Sequence, residues 1–172
     1  MTTKVCALVL VLGMVVPLAA VAEDTLARFE GGIGVIPVSS GVGQDATAEV
    51  VNRNIVRTVQ PPGQIWRIAD LEATVQLDGR IQVDGRGLLL AGGNNIGTNA
   101  GQSVFATLIC GAAPSFTFHS SDPTGVPLEP DGDFHIDDTL DPPVPDACVS
   151  PVLLIRSIAG SQAWFAAGIP RQ

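Results

Sequence analysis

Leu71-Glu72-Ala73-Thr74-Val75-Gln76-Leu77, followed by Asp78-Gly79 and then Arg80-Ile81-Gln82-Val83, is the stretch that decides the fold of this chain. Leu71, Ala73, Val75 and Leu77 share one parity; Glu72, Thr74 and Gln76 share the other. An extended backbone turns successive side chains to opposite faces, so this alternation predicts a strand with one face in a core. Arg80 to Val83 resumes the alternation. A two-residue Asp-Gly link between such runs predicts a hairpin, because both residues tolerate the positive φ of a type I′ turn. A second Asp-Gly, Asp84-Gly85, is expected to bulge the return strand before Leu88-Leu89-Leu90, a run that implies burial on both faces.

Outward from this hairpin the same pattern recurs. The strand is expected to start near Ile65, after Pro61-Pro62-Gly63 has ended whatever precedes it. Val51, Ile55 and Val59 fall at helical spacing. The density of β-branched residues and the presence of Asn52 and Asn54 weaken a helix, and a strand is expected from about Asn54. Phe29, Ile33, Val35 and Val38 mark a first strand ending near Pro37, with a loop at 39–43. Beyond the centre, Gly92 to Gln102 lacks side-chain mass and periodicity and reads as an exposed loop. Ser103 to Cys110, Ser115 to His119, Val152 to Ile158 and Ala163 to Ile169 read as strands, the last two joined through Ala159-Gly160-Ser161. About seven to nine strands without an intervening helix predict one all-β domain over residues 23–172, an antiparallel β-sandwich, with a small closed β-barrel as the alternative. An outer-membrane barrel needs aromatic girdles. With no tyrosine and two tryptophans the chain does not supply them, and thirteen prolines interrupt its strands.

The first 22 residues read as a secretory signal. Lys4 precedes an apolar run from Val5 to Val16, and Ala20 and Ala22 occupy the small-residue positions of a cleavage site. The run is short of the ~20 residues that span a bilayer, so the mature chain is expected to begin at Glu23 with no transmembrane segment. Cys6 is expected to leave with the signal, which argues against a lipid anchor. Lys4 is the only lysine; without it, eight arginines stand against seventeen acidic residues, a net charge of −9. That surface repels phosphate backbones and excludes a nucleic-acid partner. Export also bears on the two remaining cysteines. Cys110 and Cys148 are expected to form a disulfide, against free thiols or a metal pair without histidine partners.

Four stretches, Arg28 to Val35, Leu88 to Gly97, Val126-Pro127-Leu128-Glu129 and Trp164 to Pro170, resemble segments of small uncharacterised exported bacterial proteins. The resemblance implies export and a bacterial source, and no function.

Chemistry is concentrated in one acidic passage. Asp122, Glu129, Asp131, Asp133, Asp137, Asp138, Asp141 and Asp146 follow one another with no lysine or arginine between Arg86 and Arg156. If 131–137 is a strand edge, Asp131, Asp133, His135 and Asp137 share one face and Phe134 and Ile136 turn inward. Asp131, Asp133, Asp137 and Asp138 are the residues for a weak Ca²⁺ site, the one cofactor this sequence suggests. The spacing misses the EF-hand pattern, which favours a solvated turn leading into a strand. His119-Ser120-Ser121-Asp122 holds the residue types of a catalytic triad, but a triad converges from separate elements, and no G-x-S-x-G elbow occurs. The glycine runs at 31–34 and 92–93 lack the lysine and helix of a phosphate loop. Trp66 and Trp164 lie in apolar strands and are read as core. No catalytic or cofactor-binding residue is assigned. The expected function is that of an exported soluble binding or structural domain, not an enzyme. The alternatives are a surface-assembly subunit donating its Phe29–Val38 strand to a neighbour, and a hydrolase built around His119.

Overall fold

The structure, a computed structural model, describes residues 24–42 and 50–171; the expected signal lies outside them. Within the described residues the chain forms strands and turns only. The strands are β1 (Thr25–Gly34), β2 (Val38–Val42), β3 (Val50–Arg53), β4 (Trp66–Arg67), β5 (Asp70–Gln76), β6 (Arg80–Arg86) and β7 (Leu89–Leu90). They continue with β8 (Ser103–Cys110), β9 (Thr117–Ser120), β10 (Val126–Pro127), β11 (Phe134–Thr139), β12 (Val152–Ser157) and β13 (Trp164–Arg171).

The fold is all-β and antiparallel, as the alternation requires, but the expected two-layer sandwich is not what forms. One main sheet, in the order β10-β8-β12-β13-β1-β5-β6-β11, curls through 255° towards closure. β9 adds to the same edge of β8 as β10. β2 pairs β3 and β4 pairs β7 in two small accessory sheets. Because a single sheet wraps round, its inner face packs on itself. Phe29, Leu71, Val75, Ile81, Val83, Leu108, Leu153 and Ile155 all lie in the enclosed core. Trp66 stacks on Phe165 with ring centroids 4.1 Å apart, and the Trp164 indole Nε1–H donates to the Asn54 carbonyl at 3.0 Å. Both tryptophans are therefore core residues, as read.

The β5–β6 hairpin forms, with Val75 opposite Ile81 and Leu71 opposite Gly85. Its turn differs from the expected two-residue type. Gly79 N–H donates to the Gln76 carbonyl at 3.0 Å, so Leu77-Asp78-Gly79 is a three-residue loop in which Gly79 alone takes positive φ. Leu77 consequently leaves the inward parity and is 46 % exposed. Asp78 accepts from the Arg80 N–H at 3.0 Å, which holds its carboxyl below the ordinary aspartate value. Three further readings shift. β1 ends at Gly34 and β2 occupies Val38–Val42, where a loop was expected at 39–43; β3 ends at Arg53, before the strand expected from Asn54; and the strand expected from Ile65 is broken between Arg67 and Asp70 into β4 and β5.

Asp84-Gly85 does not bulge β6, whose register runs unbroken on both sides. Gly85 instead lies opposite Phe134 on β11, and a Cβ there would stand 2.1 Å from the Phe134 ring. The glycine makes room for the aromatic side chain. Gly85→Ala should therefore cost ~1–3 kcal/mol of stability by overpacking. In a Phe134→Ala background the same substitution should cost much less, a coupling that a double-mutant cycle of urea unfolding measures. Equal costs in both backgrounds would contradict the packing argument.

Cys110 and Cys148 are disulfide-bonded across 38 residues, as expected. Gly111 N–H also donates to the Val149 carbonyl at 2.7 Å, so the segment before β12 is tied to the end of β8. β1, proposed above as a strand for a neighbour, lies between β13 and β5 in its own sheet with both edges paired.

Candidate functional site

The sheet fails to close between β11 and the β9–β10 edge, and backbone geometry there defines the site. Antiparallel pairs alternate between hydrogen-bonded residues and residues whose groups face away. Leu140 N–H donates to the Gly79 carbonyl, which fixes the even-numbered residues of β11 as those bonded to β6. His135, Asp137 and Thr139 thus present their backbone groups to the opposite side. Asp141 continues this parity and pairs with Ser120 through two bonds of 2.8 and 2.9 Å.

The other rim is one interrupted strand. β9 follows β8 with Ser120 opposite Thr107, and β10 follows it with Val126 opposite Val104. Between them Asp122 to Gly125 loops out, closed by Gly125 N–H donating to the Asp122 carbonyl at 3.0 Å. Leu128 N–H donates to the Gln102 carbonyl, so Val126 bonds towards β8 and Pro127 is turned to the seam. Proline has no N–H, so the rim cannot donate a ladder bond at that position. Past the Ser120–Asp141 pair the seam is bridged by a side chain: Asp138 Oδ2 accepts from the Asp122 N–H at 2.7 Å.

Three depressions follow this seam. A groove of about 440 Å³ lies at the Arg86 end, between Pro127, Glu129 and His135. A waist of about 70 Å³ separates Val126 from Ile136. A second groove of about 520 Å³ opens beside Ser120, Asp122, Asp141 and Arg156. Arg156 lies over the Phe105 ring at 5.1 Å and donates to the Gln162 carbonyl at 2.9 Å and to Thr107 Oγ1 at 3.4 Å. Burial lowers its pKa from the ordinary arginine value. Asp122 is held ionised below the usual aspartate value, because its carboxylate accepts from the Thr124 N–H at 2.8 Å.

The acidic residues singled out from sequence are placed along this seam but do not gather. β11 turns Phe134 and Ile136 inward and His135 and Asp137 outward, as expected. Asp133 Oδ1 accepts from the Gly87 N–H at 2.9 Å, while Asp131 Oδ1 accepts from the Asp133 N–H at 3.2 Å. Asp137 is exposed. Asp138 accepts through both oxygens, from Asp122 N–H and from Thr139 N–H. Among the described residues no three His, Cys, Asp or Glu side chains converge as ligands of one ion. The members of the 119–122 quartet also have separate partners. His119 is buried, with Nε2 2.8 Å from Thr117 Oγ1 and Nδ1 2.8 Å from the Pro142 carbonyl. Ser121 Oγ accepts from the Ala106 N–H at 3.0 Å, and Ser120 Oγ lies 3.0 Å from Thr107 Oγ1. The Gly/Asn loop is a brace for the seam: Asn99 Nδ2 donates to the carbonyls of Leu128 and Glu129, both at 2.9 Å.

Sequence reasoning found β11 and missed its unpaired rim. The signal was Pro127, next to the acidic strand in space and seven residues before it in the chain. Compared with protein-family models, curated proteins and solved structures, the chain has no match.

Proposed function

We propose that this chain is an exported, non-catalytic binding domain and that the seam between β10 and β11 is its binding surface. The observation that carries this reading is the rim of β11. His135 and Asp137 offer backbone donors and acceptors that no partner in the sheet takes up, and they lie along the grooves. Unpaired backbone groups at a strand edge are a template for association. The Cys110–Cys148 bond fits an oxidising compartment, in keeping with the signal read at residues 1–22.

The test is a titration of peptides and soluble glycans into isotope-labelled mature protein, followed by amide chemical shifts. Ligands that bind should move the amides of Val126, His135 and Asp137 and leave Glu72, on the outer face of β5, unmoved. Binding that shifts β5 and spares β11 would overturn the assignment.

A further inference from the structure

We propose that the rim of β11 receives an extended basic peptide as an added β-strand, an inference that rests on the seam being the binding surface. An added strand needs N–H and C=O groups at alternate residues, and His135 and Asp137 supply them two positions apart. The facing rim does not compete, since Pro127 turns a residue without N–H to the seam. An added strand at the ~4.8 Å spacing requires the waist to widen, and the rim that has to give is the short β10, which is bonded to β8 through Val126 and Leu128 and braced by Asn99.

Side-chain chemistry selects the occupant. On the outer face, the added strand runs beside Asp137, with Asp138, Asp122 and Asp141 beyond it. At the opposite end it meets Glu129, Asp133 and the Asp84 carboxylate, the last paired with His135 Nδ1 at 2.8 Å. Two arginines lie near the seam: Arg156 is already engaged with carbonyl, hydroxyl and ring, and Arg86 lines the first groove, where Asp84, Glu129 and Asp133 outnumber it. A peptide bringing lysine or arginine at every second position therefore gains charge pairs on one face. The alternate positions face Ile136, Val126 and Val104 across a waist of about 70 Å³, which suits a small apolar side chain such as valine. A second copy of this chain is disfavoured as the occupant, because its own β11 would bring Asp137 against Asp137.

The test uses two N-acetylated nine-residue peptides, one alternating valine with arginine and one alternating valine with glutamate. Each is titrated by fluorescence anisotropy into the mature protein and into its Asp137→Pro and Asp137→Asn variants. Proline at an outward-facing edge position removes one N–H from the rim and none from the β6 ladder. The Val/Arg peptide should bind at least about tenfold more tightly than the Val/Glu peptide, with affinity falling as salt rises. Asp137→Pro should weaken it about tenfold or more, and Asp137→Asn by less. Independently of any variant, the Val/Arg peptide should slow amide exchange at His135 and Asp137 in the unsubstituted protein. Equal affinity for both peptides would overturn the inference, as would unchanged binding to a folded Asp137→Pro variant. So would a peptide-free dimer that protects these amides. If the Val/Glu peptide is the one that protects the seam, only the choice of occupant falls. If Val/Arg binds and protects residues remote from β11, the binding-surface reading falls with it.

Discussion

The Cys110→Ser/Cys148→Ser variant should lose about 4 kcal/mol of stability, read as a lower midpoint of urea unfolding. The bond closes a loop of 38 residues, and tying such a loop removes conformations from the unfolded chain worth roughly 4 kcal/mol. A domain of this kind is typically stable by only ~5–15 kcal/mol, so the loss is a large fraction of the whole. The effect should also be local. β9, β10 and β11 all lie inside the closed loop, so both rims of the seam are fastened by the same bond. Amides of β9 should exchange faster in the variant than those of β5, which lies outside the loop. A stability change below about 1 kcal/mol would mean that the reduced loop stays in place without its tether.

Phe29→Ala should be comparably severe, at ~3–5 kcal/mol, because it removes a whole aromatic side chain from a site that cannot collapse. Phe29 is 1 % exposed at the centre of β1, opposite Ala73 on β5 and Pro170 on β13. Gly168 presses against it so closely that a Cβ there would stand 3.1 Å from the ring. The backbone on either side is fixed by two ladders, so the space left by the ring stays open. Thermal and urea unfolding of the purified variant check the figure. A cost below about 1 kcal/mol would show that neighbouring side chains refill the site.

The two substitutions differ in how readily sequence alone reveals their importance. Cysteine parity pointed directly to the disulfide. The hairpin was legible because alternation and a turn are local properties, and the inward and outward residues of β11 were legible for the same reason. Curvature is not local. Alternation assigns a face to each side chain but does not say whether that face packs on a second sheet or on the far side of the same one. Hence a sandwich was expected where a curled sheet forms. The position of Phe29 between β5 and β13 depends on strands far apart in the chain, and nothing near residue 29 announces it. The seam was hidden for the same reason. Pro127 matters because the fold sets β10 beside β11, and the carboxylates of Asp133 and Asp138 work as acceptors for backbone groups across the sheet. Read as a row, those acids suggest a cation site; in the fold, Asp131, Asp133 and Asp138 accept from backbone N–H groups while Asp137 stays exposed.

The placement of β1 also governs the order of assembly. β13 leaves the ribosome after every other described strand, and until it arrives one whole edge of β1 has no partner. Pairing strands as far apart in sequence as β1 and β13 carries a large loop-closure entropy, and folds dominated by such distant contacts form slowly. A nascent chain lacking β13 therefore has no completed sheet to fall into. On the proposal that the chain is exported, that delay keeps the thread loose while it passes through a membrane channel.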